Sequence, residues 1–238
     1  MWLLSNKVKV IDSGLLEGFC DYHSHLLPGV DDGVQKKEET LDILKFWEQA
    51  GMTDVWLTPH VMEDIPNTTA ELTQLFETLK TSYTGSIRLH LASENMMDRL
   101  FIDRLENGEL LPLGNTGKYL LVETSYYNPP MDMKRIIDMI KEKGFTPVLA
   151  HPERYQYMDM GHYRRWKQTG VLLQLNVPSL VGAYGIVVQK KAKLLLEEGL
   201  YDYCGTDTHS LSSAELFFDS LINKKTVDRI KRINENIY

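Results

Sequence analysis

Short apolar runs alternate with longer amphipathic stretches along almost the whole chain. The runs at 19–22, 54–58, 87–92, 119–123, 146–150, 171–176 and 203–205 have the length of buried strands. Helical spacing of apolar residues marks 36–50, 69–82, 131–143, 163–169, 189–198 and 214–224, with a last helix expected over 226–236. Gly51, Gly144, Gly170 and Gly199 follow helical patterns, where a left-handed residue ends a helix without steric cost. Thr68 is placed to cap the second helix, and Glu71 three residues on completes a capping box. Strand, helix, glycine, strand is the signature of βα repetition around a parallel sheet. Seven strands of this kind favour a closed or nearly closed barrel, although an open doubly wound sheet shares the local pattern. Residues 1–18 precede the first strand and are expected to form an N-terminal arm, packed on the barrel or free to bind a partner. Residues 19–238 then make a single barrel domain.

The 238 residues suffice for one large core, and neither low-complexity tract nor linker divides them. A formal charge of −7 argues against general nucleic-acid binding, which requires a basic face. Only two cysteines occur, Cys20 and Cys204, so no disulfide framework supports the fold. The sixth residue after each is Leu26 or Ser210, so neither opens the C-x5-R loop of a thiol phosphatase. The opening Met-Trp-Leu-Leu-Ser-Asn-Lys is too short an apolar run for a signal peptide. No later stretch approaches the roughly 18 apolar residues of a membrane span. A cytoplasmic protein with no membrane insertion is the expectation, and the oligomeric state is left open.

Candidate chemistry sits where the strands end. His23 and His25 follow the first run, His60 the second, Glu94 the third and His151 the fifth; Glu123 ends the fourth; Asp207 and His209 follow the seventh. Parallel barrels assemble their active sites at this carboxyl end. His23-x-His25 and Asp207-x-His209 share a spacing that puts two side chains on one face of extended backbone, about 6.6 Å apart. Imidazole with carboxylate favours Mn, Fe or Zn, and the lack of cysteine ligands argues against a structural zinc site. Taken singly, a His-x-His is usually solvated and a strand-end glutamate is usually a surface acid. Five of seven histidines at strand ends beside three carboxylates are harder to explain as independent accidents. His90, inside a strand, and His162, near a helix start, are assigned no role. Asp31-Asp32-Gly33 reads equally as a turn leading into a helix N-terminus or as part of the site.

Asp-Tyr-His-Ser-His-Leu-Leu-Pro-Gly-Val-Asp-Asp-Gly at 21–33 resembles the opening motif of the polymerase-and-histidinol-phosphatase (PHP) superfamily, most closely its capsule-type bacterial protein tyrosine phosphatases. Thr-Pro-His at 58–60, Ala-Ser-Glu at 92–94, Leu-Val-Glu at 121–123, Pro-Val-Leu-Ala-His-Pro-Glu-Arg-Tyr at 147–155 and Gly-Thr-Asp-Thr-His at 205–209 resemble its later motifs, in family order. The resemblance implies an α/β fold, a distorted seven-stranded (β/α) TIM-like barrel, holding three metal ions. These are usually manganese, with Fe, Zn or Mg as alternatives. Carried over motif by motif, the ligands are His23, His25, Asp32, His60, Glu94, Glu123, His151, Asp207 and His209, with Glu94 a natural bridge. It further implies hydrolysis of protein phosphotyrosine in the regulation of capsular or exopolysaccharide synthesis. The implied partner is the phosphotyrosine tail of a bacterial tyrosine kinase. Related phosphatases often carry an arginine shortly after the final Asp-x-His; here the stretch reads Ser-Leu-Ser-Ser-Ala-Glu.

The expected chemistry is attack of a metal-bound hydroxide on phosphorus, with His151, Arg154 and Asp207 as catalytic residues. Arg154 is placed to bind phosphate bidentately, unless an ion pair with Glu153 or another barrel acid holds it. Tyr126, Tyr127 and Tyr155 are candidates to flank an aromatic substrate, with core or rim packing as the plainer role. Two other readings compete: a small-molecule phosphatase of the histidinol-phosphate type, and a metal-dependent regulator that binds a phosphopeptide without turning it over.

Overall fold

The computed structural model describes residues 7–235. Eleven strands are present among them: β1 Lys7–Lys9, β2 Cys20–Ser24, β3 Asp54–Leu57, β4 His60–Val61, β5 Arg88–Leu91, β6 Glu94–Met96, β7 Tyr119–Glu123, β8 Thr146–Leu149, β9 Leu172–Asn176, β10 Tyr203–Gly205 and β11 Leu221–Asn223. The helices are α1 Lys37–Gln49, α2 Thr69–Ser82, α3 Arg99–Asn107, α4 Met133–Glu142, α5 Met160–Gln168, α6 Val177–Val181, α7 Gly185–Glu197, α8 Leu211–Asp219 and α9 Lys224–Glu235. All seven expected strands are present, as are all seven expected helices, with ends moved by a few residues. Position 236 of the last expected helix and positions 1–6 of the arm lie outside the described residues.

The strands form a curled parallel sheet. One array runs β10-β9-β8-β7-β6-β4 and the other β2-β3-β5. Two strands are each broken in the middle, at Thr58-Pro59 between β3 and β4 and at Ala92-Ser93 between β5 and β6. Proline has no N–H to give to the ladder. The register survives the break: Asp54 pairs with Arg88 and His60 with Glu94, the same offset of 34 residues in sequence. On the far edge, Ser24 bridges Thr208; the Asp207 N–H donates to His23 O at 2.8 Å and the His25 N–H to Thr208 O at 2.9 Å. The two arrays therefore meet at both edges.

Helix ends follow local chemistry. Thr68 and Glu71 form the capping box expected of them. Gly51, Gly144, Gly170 and Gly199 all have positive φ. α3 escaped the sequence reading because it is only nine residues long, yet its signals are there. Asp98 caps it by accepting from the Phe101 N–H, and Gly108 ends it in the left-handed region. Residues 220–223, expected to continue a helix, instead leave α8 as β11, which pairs antiparallel with β1. The segment between β1 and β2 packs inward through Val10, Leu15 and Leu16, all buried.

Two apolar clusters hold the structure. The larger lies between sheet and helices and includes Trp47, Phe101, Tyr163 and Phe218. The smaller fills the inside of the curl with Cys20, Tyr22, Trp56, Leu121, Val148 and Tyr203. Each fully buried large side chain contributes roughly 1.5–3 kcal/mol relative to exposure. A register shift between Asp21 and Ser24 interrupts the strict alternation of β2. Such a bulge re-aims side chains, so Tyr22 joins the inner apolar cluster while the next residue, His23, enters the polar one.

Candidate metal centre

His23, His25, Glu123, His151, Asp207 and His209 lie at or just beyond the carboxyl ends of their strands, His60 and Glu94 open β4 and β6 just beyond the ends of β3 and β5, and the structure brings all eight together. Their donor atoms form three overlapping sets among the described residues: His23, His25, Glu94 and Asp207; His60, Glu94 and Glu123; and His25, Asp32, His60 and His209. In the first, the Nε2 atoms of His23 and His25 are 3.1 Å apart. Glu94 Oε2 lies 3.1 and 3.3 Å from them, and Asp207 Oδ1 lies 3.3 and 3.2 Å away. In the second, His60 Nδ1 is 3.2 Å from Glu94 Oε2 and 3.0 Å from Glu123 Oε1. In the third, Asp32 Oδ1 is 3.5 Å from Nε2 of both His60 and His209. His151 belongs to none of the three sets, but its Nε2 is 2.8 Å from Glu94 Oε1.

These separations suit cations. Ligand atoms held about 2.0–2.2 Å from one ion stand roughly 3–3.5 Å from each other. Buried His60 Nδ1 and Glu123 Oε1, although 3.0 Å apart, make no hydrogen bond, and buried His151 Nδ1 has no partner, a costly state for polar atoms unless something else satisfies them. The donors are imidazole nitrogens and carboxylate oxygens, a mixed set that suits Mn, Fe or Zn.

Neighbouring residues set the imidazole tautomers. Gln174 donates its amide to Tyr22 O, which turns Oε1 toward His23 Nδ1 at 2.6 Å. Asp31 Oδ2 accepts from His25 Nδ1 at 2.9 Å, and the Asp207 carbonyl accepts from His209 Nδ1 at 2.8 Å. With Nδ1 carrying the proton, Nε2 of each ring offers a lone pair to the cluster. Asp31 also accepts the backbone N–H groups of Gly33 and His60, so it ties the loop after β2 to the next strand. Beneath them, Asp21 accepts from the N–H groups of His23 and Thr206 and from the Thr206 hydroxyl.

Charge follows the same plan. Burial pushes the pKa of Glu94 up, but the charges of His23, His151 and His60 outweigh it and hold the carboxyl well below its ordinary range. Asp207 is lowered in the same way against its burial, through His23 and His25. Burial lowers His23, yet Glu94 and Asp207 lift it to about 9. Asp32 is lowered to about 2, first by its contact with His209.

Arg154 does not pair with Glu153. Its Nη1 donates to Asp207 Oδ2 at 2.7 Å, and its guanidinium lies 4.4 Å from the ring centres of both Tyr126 and Tyr184. Glu153 turns inward and accepts from the Asn176 N–H and the Tyr201 hydroxyl. Tyr155 is fully buried in the core, whereas Tyr127 is exposed. His151 and Asp207 have φ of 32° and 55°; among the described residues the other non-glycine with positive φ is Asp132. Backbone of this kind costs about 1–3 kcal/mol and concentrates at functional sites.

His90 stacks on Trp56 and meets Asp54, and His162 completes the capping box of Asp159, so both stand outside the cluster. Gln174 and Asn176 were not foreseen as part of the site, and Asp31 was weighed only within Asp31-Asp32-Gly33, with no role of its own. The legible hint was Gln174 and Asn176 at alternate positions of a strand that is otherwise leucine, which places two polar side chains where burial is expected.

Residues 19–225 match the family described as "Capsular polysaccharide synthesis, CpsB/CapC". CapC of Staphylococcus aureus is 26% identical over 214 residues, covering 86% of this chain and 82% of the relative. Tyrosine-protein phosphatase YwqE of Bacillus subtilis (strain 168) is 25% identical over 200 residues, covering 81% and 78%. A chain from the crystal structures of YwqE from Bacillus subtilis and CpsB from Streptococcus pneumoniae, described as "unique metal-dependent tyrosine phosphatases", superposes with a TM-score of 0.76. It covers 92% of this chain and 87% of its own at 20% identity, which shows a shared fold. With the motifs in order and residues 19–225 matched, the chain belongs to the CpsB/CapC capsular polysaccharide synthesis family.

Proposed function

We propose that this chain is a metal-dependent protein tyrosine phosphatase that acts in the regulation of capsular or exopolysaccharide synthesis. One observation carries the reading: three donor sets share members at Glu94, His25 and His60, and a guanidinium is hydrogen-bonded to the same cluster. A phosphate monoester has oxygens for both. The relatives named tyrosine-protein phosphatases support phosphotyrosine as the substrate.

In this reading His23, His25, Asp32, His60, Glu94, Glu123, His151, Asp207 and His209 would hold three manganese ions, and Glu94 belongs to two of the donor sets. When bound, the ions supply Lewis-acid charge for the phosphoryl oxygens and bring the pKa of water from 15.7 toward about 7. Arg154 orients the phosphate. One of its five N–H donors is given to Asp207, and the planar fork suits two phosphate oxygens at once. Tyr126 and Tyr184 hold that plane from its faces. Asp207 is steadied by Arg154 and by Asn176 Nδ2 at 2.9 Å, so that Oδ1 stays turned to His23 and His25. His151 closes the wall against Glu94. The departing phenol has a reference pKa near 10, well below an alkyl alcohol, so the site needs no strong general acid.

The same reading takes the curled sheet as a closed, distorted seven-stranded (β/α) barrel over residues 19–238, with 1–18 as an arm upon it. The natural substrate is the phosphotyrosine tail of a bacterial tyrosine kinase. Two free, buried cysteines suit a cytoplasmic setting. Phosphate release from a phosphotyrosyl peptide should vanish with chelator and return with Mn²⁺. Activity persisting after verified metal removal would defeat the proposal, and faster turnover of histidinol phosphate would redirect its substrate.

A further inference from the structure

Arg154 reaches into the donor cluster, while the residue before it is wholly buried. Both carboxylate oxygens of Glu153 are engaged: Oε1 accepts from the Asn176 N–H at 3.0 Å and Oε2 from the Tyr201 hydroxyl at 2.9 Å. Neither partner is a cation. A carboxyl kept out of water on such terms is costly, and an apolar side chain of the same volume would fasten the turn to β9 more cheaply. Plain stability is therefore a poor reason for Glu153.

Its partner leads to the site. Asn176, whose N–H Glu153 receives, gives Nδ2 to Asp207 Oδ2 at 2.9 Å and to the Tyr184 hydroxyl at 3.1 Å. Asp207 is the acceptor of Arg154 Nη1, and the Tyr184 ring lies against the guanidinium. The circuit closes on itself, because Arg154 returns to Glu153 through one peptide bond. The turn that carries the pair is pinned on both sides. Tyr163 donates its hydroxyl to Pro152 O at 2.8 Å, and Lys191 its Nζ to Tyr155 O at 2.6 Å. His151, just before the turn, holds φ at 32°, a conformation that persists only where its surroundings over-determine it.

On the phosphatase reading given above, we infer that Glu153, anchored by Tyr201, is a positioning residue for the phosphate clamp. Through Asn176 it fixes the acceptor and the ring against which Arg154 is aimed, and so the direction from which the guanidinium meets a phosphoryl group. Glu153 itself belongs to none of the donor sets.

The test uses the full-length, manganese-loaded chain. Glu153→Met keeps the volume and removes both acceptor oxygens. It should raise KM for a phosphotyrosyl peptide and the inhibition constant of inorganic phosphate about tenfold, with kcat within about threefold of wild type. Glu153→Gln can still accept from the Asn176 N–H and turn its amide to the Tyr201 oxygen, so it should stay within about threefold of wild type throughout. In an Asn176→Leu background, Glu153→Met should add less than about twofold, since its route to Arg154 is already cut. Losses that multiply in the double variant would assign Glu153 to the fold alone and overturn the proposal, as would unchanged phosphate inhibition in Glu153→Met. Should Glu153→Met fail to fold, Tyr201→Phe removes only the anchoring hydroxyl and should raise the phosphate constant about threefold; no change there would overturn the proposal as well. A readout free of turnover comes from nitrogen-15 NMR of the zinc-loaded chain, which is diamagnetic. The Arg154 Nη signals, assigned by their loss in Arg154→Lys, should be separate in wild type and Glu153→Gln and averaged by rotation in Glu153→Met. That response in a chain that releases no phosphate would defeat the phosphatase reading and uphold the positioning of Arg154 by Glu153; identical Nη spectra in all three would defeat the positioning alone.

Discussion

At one end of the strands, Tyr22, Trp56, Tyr119 and Tyr203 pack ring against ring; at the other, five histidines and four carboxylates crowd together. Apart from Asp32 and His209 at the rim, both ends are largely buried, and both draw on the same strands. β2 gives Cys20 and Tyr22 to the first and His23 to the second, with a bulge between. The aromatic end gains from every contact it makes. The polar end gathers charged groups out of water, which stabilises nothing unless each is paired. The division separates stability from chemistry: apolar packing holds the strands so that mutually demanding donors can be kept a few ångströms apart.

The sharpest way to break this comparison is Glu94→Gln. The change keeps shape and removes the charge that two donor sets and His151 share. kcat/KM toward a phosphotyrosyl peptide should fall about 10³-fold or more, with far-UV circular dichroism unchanged. Wild-type turnover in that variant would remove Glu94 from the chemistry. Trp56→Ala addresses the other end. Deleting a buried indole costs about 3–5 kcal/mol, read as a lower denaturation midpoint, while activity per folded molecule stays within about twofold. If Trp56→Ala lost activity but not stability, the division of labour would be mistaken.

Much of this was legible before the structure. The seven strands and their carboxyl-end donors were visible because periodicity and turn chemistry are local, and because a parallel sheet forces every strand end to one side. What stayed hidden depends on contacts between distant segments. β1 and β11 are three residues each, separated by more than 200 residues, and neither has a pattern of its own. Arg154 lies beside the donor cluster, but its partner could not be read, since Asp207 lies 53 residues on and Glu153 lies beside it. Asp31 and Asp32 look alike in sequence. Only the fold turns Asp31 inward to His25 and leaves Asp32 mostly exposed toward His60 and His209.

Gln174 sharpens the boundary between the two ends, because it bonds His23 on one side and the Tyr22 carbonyl on the other. Removing an outer partner of a ligating histidine typically costs 10–100-fold in metal affinity. Gln174→Ala should therefore weaken Mn²⁺ binding by that factor in a competition titration, and activity should recover at high metal. If excess metal failed to restore it, Gln174 would be serving the packing of the strand rather than the orientation of His23.

The smallest expected effect is at Tyr184, and it asks whether aromatic packing also serves the polar end. Its ring covers one face of Arg154, and its hydroxyl accepts from Asn176, which also holds Asp207. A guanidinium over an aromatic face gains about 0.5–2 kcal/mol, so Tyr184→Leu should raise KM about tenfold and leave kcat nearly unchanged. Tyr184→Phe keeps the ring and should stay within about twofold of wild type. The split between KM and kcat is the decisive part. Loss of both together in the leucine variant would mean that the ring supports the fold of the site, whereas a raised KM alone would place it behind the arginine proposed to receive the phosphate. An unchanged KM in both variants would leave Arg154 positioned by Asp207 alone.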